Sequence, residues 1–354
     1  MSLAKFTASG FRCLQGVDIE PHPRLNLISG KNASGKTSLL EAIYYLGRGR
    51  SFRAGGNREL IQTKEKGFTL FGQVETENGL QRSGVEVAGT ERRIRVEGEP
   101  GTGADLARIL PVQAIDPEIH ELVQGGPEHR RRFLDWGVFH VEHSYLSAWR
   151  QYQKALKQRN AALRQSGPVS QVTAWDEKLL EYGTAVHEAR DAFLDQYLPS
   201  FSSICRENLD LDVKCLYKPG WSSEQTYSES LKKSVDSDIS KGFTQIGPHR
   251  ADLQLEVKDR RARHRVSRGQ QKLLAAAMII AQTRFLADDS RRELVLLVDD
   301  PAAELDSENR QRLFNLLQDL PAQLFITALE VDDLTGFDPG ASYRIDAGRV
   351  ASLL

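Results

Sequence analysis

Gly30-Lys31-Asn32-Ala33-Ser34-Gly35-Lys36-Thr37 decides the fold. The segment fills every fixed position of the pattern G-x-x-x-x-G-K-[ST]. An apolar run, Leu25-Asn26-Leu27-Ile28, precedes it, and an apolar periodic stretch from Ser38 to Leu46 follows. Strand, glycine loop and helix in that order make a phosphate cradle. The glycines let the loop curl until backbone N–H groups point inward, and the helix adds its positive end. Lys36 then reaches the β- and γ-phosphates of a nucleotide, and the Thr37 hydroxyl ligates Mg²⁺. The expected ligand is ATP with Mg²⁺, bound along Gly30, Lys31, Asn32, Ala33, Ser34, Gly35, Lys36, Thr37 and Ser38.

Far along the chain, the continuous apolar run Leu294-Val295-Leu296-Leu297-Val298 ends in Asp299-Asp300. A central parallel strand reads this way, and open α/β sheets bind ligands beyond the carboxyl ends of their strands. Asp299 is thereby placed to hold Mg²⁺ and Asp300 to polarise a water attacking the γ-phosphate. Alone, two aspartates after a strand also suit a solvated turn.

The remaining texture divides the 354 residues. Residues 68–98 alternate short β-like pieces with glycine turns, the pattern of antiparallel hairpins. From Pro127 the pattern becomes helical. Trp149, Leu156 and Leu163 recur every seven residues, and a stripe from Trp175 to Tyr197 follows at spacings of three and four. RQSGPVSQ between them reads as a hairpin loop. Residues 200–242 are polar and serine-rich, the composition of a return linker containing a helix. A second α/β texture then resumes, with a strand at Leu253–Val257 and a helix over Gln270–Ala287. Another helix is expected near Asn309–Leu320 and a strand at Leu324–Ile326. The expected fold class is α/β: one ATPase head split in sequence (1–125 and 243–354) by a mainly helical insertion (126–242).

Composition sets outer limits. Apolar residues are 40% and charged residues 27%, which suits a packed core rather than a disordered chain. No apolar run nears the roughly 18 residues of a membrane span, and no secretory leader stands at the N-terminus. Cys13, Cys205 and Cys215 form no metal-ligand pattern and suit a reducing, cytoplasmic setting. The net charge of −1 means that any nucleic-acid binding must come from local patches. Two clusters qualify: His129-Arg130-Arg131-Arg132, and Arg260-Arg261 with Arg263, His264, Arg265 and Arg268. Each is equally readable as a solvated face or as partners for internal acids.

Other blocks carry a resemblance. Ser267-Arg268-Gly269-Gln270-Gln271-Lys272, some thirty residues before Asp299, resembles the signature segment of ABC-type ATPases in its SMC and RecF form. Asp299-Asp300-Pro301-Ala302-Ala303-Glu304-Leu305-Asp306 resembles the joined Walker B and D-loop of that class. Across nearly its whole length the chain resembles the RecF family. The matching blocks are Leu39–Ile43, Gly49–Arg53, Gly126-Pro127 with Arg131–Asp135, and Gly247-Pro248-His249-Arg250-Ala251-Asp252.

The resemblance implies an ATP-dependent homodimer in which one copy's phosphate loop and the other's signature segment enclose each nucleotide. Ser267, Gly269 and Gln270 would meet the γ-phosphate in trans, and Asp306 would cross the interface. Gln113 looks like the glutamine that senses Mg²⁺ and water in such ATPases, though an ordinary loop glutamine fits the sequence as well. Asp300 stands where the class usually has a catalytic glutamate, which implies slow hydrolysis. Phe325-Ile326-Thr327-Ala328 has no switch histidine, leaving Thr327 as the γ-phosphate sensor to test. The implied partners are DNA (double-stranded, gapped or at ds/ss junctions), RecO and RecR, in support of RecA loading. A transporter ATPase subunit, a small-molecule kinase and a DNA clamp with negligible hydrolysis are the alternatives.

Overall fold

The computed structural model describes residues 1–53, 56–77, 79–165, 168–290, 293–301, 305–330, 337 and 339–353. The chain opens with β1 (Ser2–Ser9), β2 (Val17–Ile19) and β3 (Leu25–Ser29), followed by α1 (Lys36–Arg48) and α2 (Asn57–Leu60). β4 (Gly67–Thr76), β5 (Gly79–Ala88), β6 (Glu91–Val96), β7 (Glu99–Pro100), α3 (Gly103–Ile109) and β8 (Val112–Ile115) come next. A helical run holds α4 (Glu121–Gln124), α5 (Pro127–Val141), α6 (Tyr145–Arg164), α7 (Val169–Thr173) and α8 (Asp176–Leu209). β9 (Val213–Lys218), α9 (Tyr227–Lys233), α10 (Val235–Lys241), β10 (Asp252–Val257) and β11 (Arg260–Arg261) lead to α11 (Arg268–Ser290). β12 (Leu294–Val298), α12 (Ser307–Gln318), β13 (Ala322–Ala328), β14 (Ala341–Asp346) and β15 (Arg349–Ser352) complete the order.

Two compact units result: Met1–Ile119 with Thr283–Leu354, and His120–Gln282. The first contains a sheet in the order β15-β14-β3-β13-β12-β8. All pairs are parallel except β14 with β15. β3, β12 and β13 are buried along their whole length, as continuous apolar strands flanked on both sides must be. A second, antiparallel sheet runs β2-β1-β4-β5-β6-β7 and contains the hairpins expected over 68–98.

The second unit is mainly helical with a small sheet, β11-β10-β9. Its far boundary lies inside α11 rather than at 242–243. The reason is pairing: Asp252–Val257 zip antiparallel onto Lys218–Val213, which binds β10 to the helical segment and not to the head. The stretch 200–242 is also more ordered than its polarity suggested. α8 runs through Pro199 to Leu209, carried by the buried stripe Phe201, Ile204, Cys205 and Leu209. α9 starts at a reciprocal capping box between Thr226 and Glu229. Among the described residues no helix is long and apolar enough to cross a membrane.

The Gly247–Asp252 block is a junction of that unit. The Gly247 backbone sits at φ 136, and a Cβ there would lie 2.5 Å from the Tyr152 hydroxyl, so only glycine fits. Tyr152 Oη and His249 Nδ1 are 2.6 Å apart, and His249 Nε2 lies 3.0 Å from the Thr244 carbonyl. Burial pushes the His249 pKa down to about 4, so the ring is neutral near pH 7. It accepts from Tyr152 and donates to Thr244.

Candidate functional site

The phosphate loop joins β3 to α1. Gly35 caps the helix at φ 118; no side chain caps the N-terminus and no acid occupies the first turn. The first-turn N–H groups of α1 therefore have no intrahelical partner and face the loop with the positive helix end. Ala33 adopts φ 63, and a Cβ at Gly30 would come within 2.4 Å of the Ile345 carbonyl oxygen. Lys36 Nζ donates to the Gly30 carbonyl at 2.6 Å and to the Lys31 carbonyl at 3.2 Å. Ser34 Oγ is buried with no partner among the described residues. An uncapped helix end, a lysine held only by loop carbonyls and an orphaned hydroxyl form a donor set that fits a polyphosphate. Lys31 and Asn32 are exposed, and the buried Ser38 hydroxyl is 3.5 Å from Cys13 Sγ.

The acidic pair meets this loop. The Thr37 hydroxyl donates to Asp299 Oδ2 at 2.8 Å across 262 residues of sequence. β13 lies between β3 and β12 and carries Thr327. Its fully buried hydroxyl donates to Asp299 Oδ1 at 2.8 Å and accepts from the Asp300 N–H at 2.8 Å. Thr37 and Asp299 are the oxygens that would hold Mg²⁺, which would neutralise phosphate charge there. Asp300, at φ 46, is partly exposed beside them.

The Thr327 hydroxyl is engaged within the site, between Asp299 and the Asp300 N–H. Gln113 lies inside β8, opposite Leu296, and is buried. Ile115 pairs with Val298, and its carbonyl accepts from Asp299 N at 2.9 Å. Gln113 thus sits two residues before that level along β8, about 7 Å at the usual strand rise. Replacing Thr327 with Val is expected to weaken Mg²⁺-dependent nucleotide binding about tenfold, because one carboxylate oxygen loses its donor. Titrations in Mg²⁺ and in chelator check this. A γ-phosphate sensor would lose affinity in both, an Asp299 brace only in Mg²⁺.

Sequence reading missed Glu41, which is fully buried in α1. Arg12 donates to it from Nε at 3.0 Å and from a terminal nitrogen at 2.9 Å, and the Ser51 hydroxyl donates to it too. Leu39–Ile43 and Gly49–Arg53 therefore meet on one carboxylate. A charged residue on the buried face of an apolar helix was the signal available.

In the second unit, Ser267 caps α11. Its N–H donates to Gln270 Oε1 at 3.0 Å and its Oγ accepts from Gln270 N at 3.3 Å. Ser267 and Arg268 are exposed, Gly269 and Gln270 partly so. Asp306, in the first unit, is an exposed cap of α12, accepting from Asn309 N at 2.8 Å. Ala302, Ala303 and Glu304 lie outside the described residues.

The basic clusters part ways. Arg130 is buried: Nε donates to Asp252 at 2.8 Å, and a terminal nitrogen donates to the Leu122 and Gly125 carbonyls. Arg131 donates to the Ala251 carbonyl at 2.7 Å. These two arginines are internal clamps on the Gly247–Asp252 block, and only Arg132 of the three is exposed. Arg190 extends the lock, donating to Pro248 O at 2.8 Å and to Asp135 at 2.6 Å. Burial acts to lower its pKa, but the Asp135 charge outweighs that and holds it above the usual value. The Arg260–Arg268 cluster is exposed throughout.

A phosphate loop and an acidic strand separated by one intervening strand, with the signature segment capping a long helix, define an ABC-type P-loop ATPase head. The family described as RecF/RecN/SMC N terminal domain matches residues 2–342. The DNA replication and repair protein RecF of Azotobacter vinelandii is 42% identical over 361 residues, covering 99% of this chain and 98% of that one. The same protein of Pseudomonas fluorescens is 40% identical over 359 residues, with 99% and 98% covered. The chain belongs to the RecF family. The solved structure of the recombination mediator protein RecF-ATP in the RecFOR pathway superposes at TM-score 0.89 with 26% identity, covering 100% of this chain and 98% of that one. An Smc head bound to the C-winged helix domain of ScpA shares the fold at TM-score 0.62 and 16% identity, with 100% and 98% covered. Membership removes the transporter-subunit and small-molecule kinase readings.

Proposed function

We propose that this chain is a cytoplasmic, ATP-dependent DNA-binding protein of recombinational repair. ATP joins two copies into a dimer that clamps DNA at gaps and ds/ss junctions and assists RecA loading with RecO and RecR. The observation that carries the reading is the state of the two half-sites. Lys36 and the uncapped end of α1 offer donors on one side, while Ser267 caps α11 at an exposed position, open to a second molecule. Lys36 and the loop N–H groups bind the phosphates, Thr37 and Asp299 hold the cation, and Asp300 accepts a proton from the attacking water. The γ-phosphate gives the closed dimer its affinity, and hydrolysis reopens it. RecF-family relatives named as DNA replication and repair proteins, and a solved relative named as a mediator in the RecFOR pathway, support this placement.

A clamp with negligible hydrolysis is the second reading. It is favoured by the short Asp300 carboxylate and by Gln113 lying inside β8. Mixing Ser267→Ala with Lys36→Ala separates a shared from a self-contained site. The mixed dimer keeps one complete nucleotide site in two, so sedimentation with ATP is expected to recover a dimer that neither variant forms alone. A mixture as monomeric as its components defeats the trans arrangement. Single-turnover hydrolysis with duplex DNA then decides between the two readings.

A further inference from the structure

We infer that the exposed arginine ridge Arg260, Arg261, Arg263, Arg265 and Arg268 is the surface that holds the phosphate backbone of duplex DNA. This deepens the DNA-clamp reading above and rests on it. The ridge differs from the chain's other arginine cluster in what its charges do. Arg130 and Arg131 are spent on internal acceptors. None of the five ridge arginines forms an ion pair with a described carboxylate; the one side-chain bond among them runs from Arg263 Nε to His264 Nε2 at 3.0 Å. Five like charges within nine residues repel one another by about half a kcal/mol per neighbouring pair in water. A chain of net charge −1 has little need of them for solubility. An anionic partner relieves that repulsion.

The chemistry of the ridge selects the partner. Every one of its permanent cations is arginine, whose planar fork matches phosphate in two hydrogen bonds. No Phe, Tyr or Trp occurs from residue 244 to 284, so the segment itself carries no large aromatic ring on which unpaired bases would stack. A double-stranded backbone fits better than a single strand. The ridge is also preorganised. Arg260 and Arg261 pair with Val257 and Glu256. The turn after them closes through Arg265 N and Val266 N on the Ala262 carbonyl, with Ala262 and Val266 buried as anchors. Arg261 and Arg263 line one recess with Gln254. Gln271 Nε2 donates to the Arg263 carbonyl at 3.3 Å and the Val266 carbonyl at 3.2 Å, which ties the ridge to the segment that carries Ser267.

The test compares the full chain with R261Q/R263Q and R261K/R263K by fluorescence anisotropy on a labelled duplex over a salt series with ATP. Each phosphate contact contributes about 0.9 to the slope of log affinity against log salt. The Gln pair is expected to flatten that slope by about 1.8 and to weaken binding about fifty-fold at 0.1 M salt. The Lys pair keeps the slope, and both variants keep wild-type nucleotide affinity. An unchanged slope in the Gln pair overturns the ridge while leaving the clamp reading intact. Failure of the wild-type chain to bind any duplex overturns both. Loss of ATP-dependent dimerisation without DNA in the Gln pair overturns the proposal in favour of an interface between copies.

Discussion

Lys36→Ala is expected to weaken ATP binding about thirtyfold and to abolish ATP-dependent dimerisation. Without phosphate, the ammonium is satisfied by the Gly30 and Lys31 carbonyls. Binding exchanges those charge–dipole bonds, each about 1.5–3 kcal/mol, for a charge–charge contact. At 3 Å and an effective dielectric of 20 that contact amounts to about 5 kcal/mol gross. With both carbonyl bonds counted at the low end, the difference is about 2 kcal/mol, or about thirtyfold in affinity. A fluorescent-nucleotide titration reads it directly, and unchanged melting separates it from unfolding. Lys36→Arg is not expected to rescue, since the larger guanidinium must fit a loop closed over Gly30. Wild-type affinity in Lys36→Ala would remove this loop from nucleotide binding.

Arg159→Met is expected to cost the second unit about 3–5 kcal/mol, a large share of the roughly 5–15 kcal/mol that holds a folded protein together. Arg159 is fully buried in α6. Its Nε donates to Asp176 at 2.8 Å, and a terminal nitrogen donates to Asp238 at 2.7 Å and to the Thr244 hydroxyl at 2.9 Å. Asp238 is equally buried, and burial pushes the Asp176 carboxyl pKa up, an effect Arg159 partly offsets. Removing the cation leaves two acids facing each other without a counter-charge, which costs far more than any packing Met restores. Lysine is a poor substitute, because one ammonium cannot span both carboxylates in the guanidinium geometry. Urea melts of the full chain measure the loss; a change below 1 kcal/mol contradicts the account.

The residues that carry chemistry by pattern were legible, and those that carry it by position were not. The buried strand β12 announces itself as an unbroken apolar run, β3 as an apolar run broken only by Asn26, and the glycines of the phosphate loop have one common use. The structure brings Thr37 and Asp299 together as the strand-end rule expects. The level at which Gln113 stands was not legible, because a strand's register is set by its partner and the sequence around it does not say which β8 residue pairs with Val298. The bond from Thr327 to Asp299 was not legible, because a hydroxyl at a strand end looks the same whether it faces a ligand or a neighbouring carboxylate. Arg130 and Arg131 stayed open between a surface patch and internal ion pairs because charge along a chain carries no record of burial. The polar composition after residue 200 read as a linker, yet the apolar stripe Phe201, Ile204, Cys205 and Leu209 carries the helix on past Pro199.

β3 has a consequence for how the molecule is made. Its two hydrogen-bonding neighbours are β13 and β14, roughly three hundred residues downstream. At ordinary ribosomal speeds of about 5–20 residues per second, this fully buried strand waits about 15–60 seconds for its partners. The segment His120–Gln282 can close within that interval on its own contacts. The nucleotide cradle is therefore among the last features of the nascent chain to take shape, and it stays unassembled while its central strand is most vulnerable to aggregation.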